Sequence, residues 1–238
     1  MRLDFYLVQK GMCQSRDRAK ALIVEGECTV NGVMVKKPAF KVGPDDVVSL
    51  QKEDFSYVGR GGLKLEEALG AFGIDVLGMV ALDTGAATGG FTDCLLQYGV
   101  KKVYALDIGK GQLAPQLQKD DRVVYMPHTD AREMQLPDFL DPLDLVVVDV
   151  SFISVTSILD ALKRVSHPKT EFIILIKPQF ETGKPHSGVL RDPTLIQNTL
   201  ENVRKAFQKA GFSIVQEIPS PVLGKEGNRE FLWHARLT

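Results

Sequence analysis

Acids and one lysine stand where apolar runs of this chain end. Asp83 closes Val80-Ala81-Leu82, Asp107 closes Val103-Tyr104-Ala105-Leu106, Asp149 closes Val146-Val147-Val148, and Lys177 closes Ile173-Ile174-Leu175-Ile176. Asp130 follows the run at Val123-Tyr125. Such runs, separated by helical patterns, imply a mainly parallel sheet covered on both faces. Ligands of open α/β sheets bind at the carboxyl ends of the strands, which is where these residues fall. After Asp83 comes a Gly-rich turn, Gly85-Ala86-Ala87-Thr88-Gly89-Gly90-Phe91. Its glycine spacing is not the G-x-G-x-x-G that exposes helix amides to a pyrophosphate. An acid two residues before the turn suits a cofactor with a cationic amino group. S-adenosylmethionine is such a cofactor, with an ammonium, a sulfonium and no phosphate. On its own such a turn also serves merely to connect a strand to a helix.

The other strand ends extend that reading. Asp107, about 20 residues beyond the turn, is placed to accept both ribose hydroxyls of an adenosine, with a helix N-cap as its competing role. Asp130 accepts from an adenine amine or is a turn residue, and the two roles weigh equally. Lys177 is the sharpest anomaly. A lysine ending four aliphatics lies against a low-dielectric wall, which lowers its pKa and makes a neutral amine available as a base. Pro178 then bends the chain. Taken alone, Lys177 reads as a lysine that snorkels to water.

The elements that position these residues fall into two groups. Residues 1–50 read as a small module of two helices and a hairpin. Leu3, Tyr6 and Leu7 give the first helix, ending at Gly11; Ser15 caps a second running to Glu25, with Ala19, Leu22 and Ile23 on its buried face and Gly26 as its stop. Asn31-Gly32 between Cys28-Thr29-Val30 and Val33-Met34-Val35 is a two-residue hairpin turn, and a further strand spans 46–50. Residues 51–59 read as a linker. A second domain, 60–238, opens on Arg60-Gly61-Gly62-Leu63-Lys64 and a helix through Leu65, Ala68 and Leu69. Its strands are expected at 80–83, 102–107, 123–125, 143–149, 172–177, 213–217 and 230–236, with helices over 153–165 and 193–210.

The first module resembles the RNA-binding domain named after small-ribosomal-subunit protein four. The resemblance rests on Arg2-Leu3-Asp4, on Ser15-Arg16 with Ala19 and Ile23, on Gly26, and on Val30-Asn31-Gly32 followed by Lys37-Pro38. It implies RNA contacts through Arg2, Ser15, Arg16, Arg18, Lys20, Asn31, Lys36 and Lys37, with Arg60 beyond the linker. Eight Lys and Arg against six Asp and Glu leave the module a net charge of only +2, so charge alone equally fits a solvated helix face.

Across the whole chain, Lys64, Asp149, Lys177 and Glu230 appear in the Lys-Asp-Lys-Glu order of the FtsJ-type ribose 2′-O-methyltransferases. Together with Arg60–Lys64, Asp83–Asp93, Asp149–Ser154, Lys177–Glu181 and Gly227–Trp233, they resemble the TlyA family. That resemblance implies a Rossmann-like, S-adenosylmethionine-dependent methyltransferase sheet behind a small α+β RNA-binding domain. It also implies methylation of cytidine 2′-hydroxyls in ribosomal RNA. Catalysis would fall to Lys64, Asp149, Lys177 and Glu230, and cofactor contacts to Asp83, Gly85, Ala87, Thr88, Gly89, Gly90, Phe91, Asp107, Asp130 and Asp149. Position 130 departs from the family, whose members usually have Asn there. Glu226 also lies near the C-terminus, but the Gly-Asn-x-Glu-Phe context favours Glu230. Physically, a 2′-hydroxyl must lose its proton as it attacks. Lys64 beside Lys177 would lower the base's pKa, while the two acids orient and compensate the amines.

Composition bounds the alternatives. A net charge of −1 provides no global field for nucleic acid, so RNA binding needs a local patch. Cys13, Cys28 and Cys94 lack C-x-x-C spacing and fit a reducing cytoplasm, and His128, His167, His186 and His234 lack ligand spacing, so no metal is expected. No apolar run nears the ~18 residues of a membrane helix, and no signal-like core follows Arg2 and Asp4. The expected partner is ribosomal RNA or a ribosomal subunit, and a monomer is compatible with the sequence. The competing readings are a lytic protein, suggested by the family's old "hemolysin" label, and a non-catalytic RNA-binding module that keeps the cofactor as a structural ligand. A dinucleotide reductase ranks last.

Overall fold

The computed structural model describes residues 1–10, 12, 13, 16–50, 57–109, 112–183, 188–224 and 226–238. Gly11, Ser15, residues 51–56 of the expected linker and His186 lie outside these. The chain divides into two compact units, 1–56 and 57–238.

In the first unit, α1 (Leu3–Gln9) and α2 (Arg16–Glu25) pack on a three-stranded antiparallel sheet of β1 (Cys28–Val30), β2 (Val33–Met34) and β3 (Val48–Leu50), in the order β2-β1-β3. Leu3, Leu7, Ala19, Leu22, Ile23 and Cys28 form its fully buried core. Asn31 and Gly32 both take positive φ, 52° and 78°, as the two-residue hairpin turn requires. The strand expected from Asp46 begins only at Val48. The reason is that the Asp46 carboxylate accepts from the Gly43 N–H and from Asn31 Nδ2, closing a turn.

The second unit runs α3 (Gly61–Phe72), β4 (Val80–Thr84), α4 (Gly90–Gln97), β5 (Lys102–Asp107), α5 (Pro115–Gln118), β6 (Val123–Pro127), β7 (Leu145–Val148), α6 (Leu159–Arg164), β8 (Glu171–Ile176), α7 (Pro178–Glu181), α8 (Pro193–Ala210), β9 (Phe212–Pro219) and β10 (Phe231–Leu237). Its seven strands form one sheet in the order β6-β5-β4-β7-β8-β10-β9, parallel from β6 to β8. β10 runs antiparallel to both β8 and β9. Side chains alternate across the pleat. Leu82, Val146, Val148 and Ile174 pack on one face with Leu162 of α6 and Val203 and Phe207 of α8. Ala81, Leu145, Val147 and Ile173 pack on the other with Leu65 of α3 and Leu95 of α4. Burial on both faces is why these strands read as unbroken apolar runs.

Two expected elements are corrected. The helix over 153–165 is split into a 3₁₀ turn, Val155–Ile158, and the short α6. The Ser154 hydroxyl caps that turn, and its β-branched residues Val155, Thr156 and Ile158 suit a full helix poorly. The strand expected over 143–149 is confined to Leu145–Val148. Asp149 and Lys177 therefore sit one residue beyond their strands, although the Asp149 N–H still donates to the Thr84 carbonyl of β4 at 2.9 Å.

Candidate active site

Parallel strands deliver their carboxyl ends to one edge of the sheet. Thr84, Asp107, Val148 and Ile176 end β4, β5, β7 and β8 there. Because β10 is antiparallel to β8, its first residue, Phe231, pairs with Ile176, the last residue of β8. That reversal brings Glu230 to the edge that carries Asp149 and Lys177. Lys64 arrives from the first turns of α3. A Cβ on Gly62 would lie 2.2 Å from the Tyr57 ring, and one on Gly90 only 3.0 Å from the Gly62 nitrogen. Glycine at 62 makes room for the Tyr57 ring, and glycine at 90 lets the start of α4 press against the start of α3.

The four residues meet around one cavity of about 360 Å³, which Arg60, Ser151, Phe152 and Phe180 also line. Lys64 Nζ lies 2.5 Å from Glu230 Oε2, and Lys177 Nζ lies 2.6 Å from Asp149 Oδ1. The second contact is an ion pair without hydrogen-bond alignment, since Lys177 instead donates to Ser151 Oγ at 2.6 Å. Lys64, Lys177 and Glu230 are only 8, 7 and 5% exposed, so each is buried against a polar partner. Lys177 does not snorkel to open water.

Beside this cavity lies the Gly-rich loop. A Cβ on Gly85 (φ 87°) would sit 2.7 Å from the Asp149 carbonyl oxygen, so only glycine allows loop and strand end to touch. A cavity of about 150 Å³ runs along Asp83, Gly85, Thr88, Gly90, Phe91, Asp149 and Lys177. Another, of about 290 Å³, is lined by Gly85, Ala87, Asp107, Asp130, Asp149 and Ser151. Asp149 and Ser151 border all three cavities. Ala87 (φ 47°) and Phe152 (φ 68°) hold left-handed backbone without being glycine, and both line this crevice.

Asp83 is fully buried. Its Oδ2 accepts from Thr92 N at 2.9 Å and Thr92 Oγ1 at 2.6 Å, while Oδ1 has no hydrogen-bond partner among the described residues. Burial pushes its carboxyl up to about 7, with the Asp149 charge adding to the rise and the Thr92 bonds opposing it. One carboxylate oxygen is thus left unsatisfied beside the cavity.

Asp107 accepts from Ala87 N at 2.7 Å and Gly109 N at 2.6 Å. It thus braces two loops and is not a helix N-cap: the N-cap of α5 is Ala114. Asp130 caps a 3₁₀ turn, Ala131–Glu133, through Arg132 N, and the Arg132 guanidinium holds its carboxyl below the usual range. It is a turn residue that also lines the larger cavity.

The FtsJ-like methyltransferase family matches residues 57–237, and the S4 domain family residues 1–48. The chain is 40% identical over 237 residues to the 16S/23S rRNA (cytidine-2′-O)-methyltransferase TlyA of Mycobacterium tuberculosis, covering 98% of this chain and 88% of that protein. The chain belongs to the TlyA family of FtsJ-like methyltransferases. It is also 41% identical over 238 residues to Hemolysin A of Brachyspira hyodysenteriae, covering 98% of this chain and 99% of the relative. A solved structure described as "Putative hemolysin from Streptococcus thermophilus" superposes with a TM-score of 0.80 at 38% identity, over 100% of this chain and 88% of that one.

In the S4 unit of this TlyA-family chain, the expected RNA contacts are largely paired with acids. Arg2 and Arg16 both reach the buried Asp4, at 2.9 and 3.2 Å. Lys20 pairs with Asp17 at 2.7 Å. The Asn31 amide binds Asp46 Oδ1 and the Val47 N–H. Lys36 and Lys37 are exposed, Arg18 is half-buried on α2, and Ser15 lies outside the described residues. Arg60 belongs instead to the rim of the lysine cavity.

Sequence reasoning assigned no role to Ser151 or Glu181. Ser151 is the hydroxyl that orients Lys177. Glu181 accepts from the Ser154 hydroxyl and from Val155 N (2.8 Å), tying the loop after β7 to α7, and burial raises its carboxyl pKa. The signal for Ser151 was its place two residues beyond a strand-end acid. Glu181 carried none, because its partner is 27 residues away in sequence.

Proposed function

We infer that this chain transfers the methyl group of S-adenosylmethionine to a ribose 2′-hydroxyl, on cytidine, in ribosomal RNA. The observation that carries the reading is the Lys177 amine held by Asp149 and Ser151 where the lysine cavity meets the Gly85 loop. The residues fit the cofactor: Asp83 offers an orphaned carboxylate oxygen to an ammonium, and Gly85 a backbone surface with no Cβ. Asp107 and Asp130 lie further along the same crevice, where ribose hydroxyls and an adenine amine would find acceptors. Bound there, S-adenosylmethionine supplies an electrophilic methyl carbon on a sulfonium.

The chain's own residues do the rest. Lys177, as the neutral amine, accepts the 2′-hydroxyl proton. Asp149 and Ser151 fix its direction. Lys64, paired with Glu230, positions the ribose and keeps a cation near the base. Phe152 and Phe180, with ring centroids 5.4 Å apart, line one side of the cavity. Holding nucleophile and methyl in line supplies up to ~7–11 kcal/mol of such a barrier. Residues 1–50 act as the RNA-binding domain and 60–238 as the catalytic domain. Ribosomal RNA or a ribosomal subunit is the partner and the cytoplasm the place of action. A lytic role finds no support in the fold: no helix among the described residues is long and apolar enough to cross a membrane.

The test is Lys177→Ala. Methyl transfer to unmodified ribosomal RNA, followed by mapping of the methylated ribose, should fall by about 10²–10⁴-fold with cofactor affinity unchanged. Retained transfer at normal cofactor affinity removes Lys177 as the base.

A further inference from the structure

A groove of about 590 Å³ adjoins the lysine cavity and is used by nothing described above. Leu223 and Glu226 line both spaces, so the groove and the cavity lie side by side. One wall is apolar, with Ile196 of α8 and Phe231 of β10. The other feature is charge. Arg191 and Arg229 both line the groove, both are exposed, and neither forms a hydrogen bond or ion pair among the described residues. This is unusual here, since Arg2, Arg16, Arg122, Arg132, Arg204 and Arg236 all pair with carboxylates. Arg229 directly precedes Glu230, and Arg191 directly precedes Asp192, the N-cap of α8, whose 18 residues point their positive dipole end toward this wall.

This inference rests on the ribose-methylation reading. A ribose in the lysine cavity remains joined to the next nucleotide by a phosphodiester. The spaces beside Gly85 and Asp107 fall to the cofactor, so the strand has to leave elsewhere. The geometry points to the Arg191–Arg229 groove as the seat of the nucleotide flanking the methylated one, in single-stranded form. Its phosphodiester lies between the two guanidiniums, and its base lies on the Ile196–Phe231 wall. Arginine suits this task, since its planar fork pairs with two phosphate oxygens at once. Single-stranded RNA is commonly held by this pairing of cations with an apolar platform.

The experiment uses the full chain with in vitro-transcribed, unmodified ribosomal RNA. R191A/R229A should weaken RNA binding by at least about tenfold, and the slope of log affinity against log salt should become shallower by about 1.4, the value for two phosphate contacts on a single strand. Cofactor affinity should stay within about twofold of the parent protein. R191K/R229K should restore the salt slope while leaving affinity reduced, because lysine keeps the charge and loses the fork. K205A/K209A, equal in charge change but on the far end of α8, is the control and should have little effect. An unchanged salt slope in R191A/R229A, or an equal loss in the control, overturns the groove assignment. A parent protein that binds RNA with the expected slope but methylates no ribose overturns the reaction and leaves the groove to be judged by the slope alone.

Discussion

Two charge clusters, one in each unit, use the same residue types in opposite ways. In the first unit a single fully buried acid, Asp4, holds two arginines whose side chains remain about half exposed, at 49 and 50%. In the second unit, Lys64 and Glu230 are both buried, at 10 and 4% side-chain exposure, and Lys177 is buried against Asp149. The Asp4 arrangement costs little, because only the acid leaves water and two guanidiniums satisfy it. It presents positive charge outward in a fixed geometry. The lysine pairs take cations and acids out of water together. Buried pairs of this kind are often no more stabilising than apolar residues of the same shape. The first arrangement suits a surface that meets a polyanion; the second stores reactivity in a cavity.

The largest effect should separate reactivity from stability. Replacing the buried pair as K64M/E230L should leave thermal stability level or slightly higher, while methyl transfer falls by about 10³-fold or more. A large loss of Tm in that double variant would mean the pair is retained for stability. Removing one partner differs sharply: Glu230→Ala strands the Lys64 ammonium and should cost about 3–5 kcal/mol in denaturant unfolding. The next effect concerns Asp83. Its carboxyl is pushed up to about 7, so below that pH it is protonated and cannot attract an ammonium. Calorimetric affinity for S-adenosylmethionine should fall as pH drops from 8 to 6, approaching tenfold per unit below 7, and Asp83→Asn should abolish that dependence. The smallest effect is Asp4→Asn. The two arginines hold the Asp4 carboxyl down at about 2, so the stability it contributes is complete above about pH 4 and is lost as pH falls toward 2. The substitution should therefore cost about 1–2 kcal/mol at pH 7, limited by the solvent around both arginines, and almost nothing at pH 2.

Much of the second unit was legible because its strands are buried on both faces and its candidate site residues stand at their ends. Asp83, Asp149 and Lys177 are conspicuous as charges closing aliphatic runs, and α8 spans the expected 193–210. The first unit was legible through its Asn31-Gly32 turn and helix periodicity. The partners of its arginines were less visible. Asp4 is two residues from Arg2 and entered only as part of the Arg2-Leu3-Asp4 motif, whereas its burial makes it the organiser of Arg2 and Arg16. Asn31, expected at RNA, is spent on Asp46 and Val47, a contact set by how the segment before β3 folds back.

From the amino-acid sequence alone came the period-two and period-3.6 patterns, the strand-end charges and the Gly-rich turn, since these depend on local spacing. Tertiary structure decided the meeting of Lys64 with Glu230, 166 residues apart. That contact needs β10 to run antiparallel beside β8, so that the beginning of one strand reaches the edge where the other ends, and it needs glycine at 90 so that α3 can close on α4. Strand direction and helix approach follow from burying both faces of one sheet at once, a condition on the whole chain that no short stretch of residues expresses.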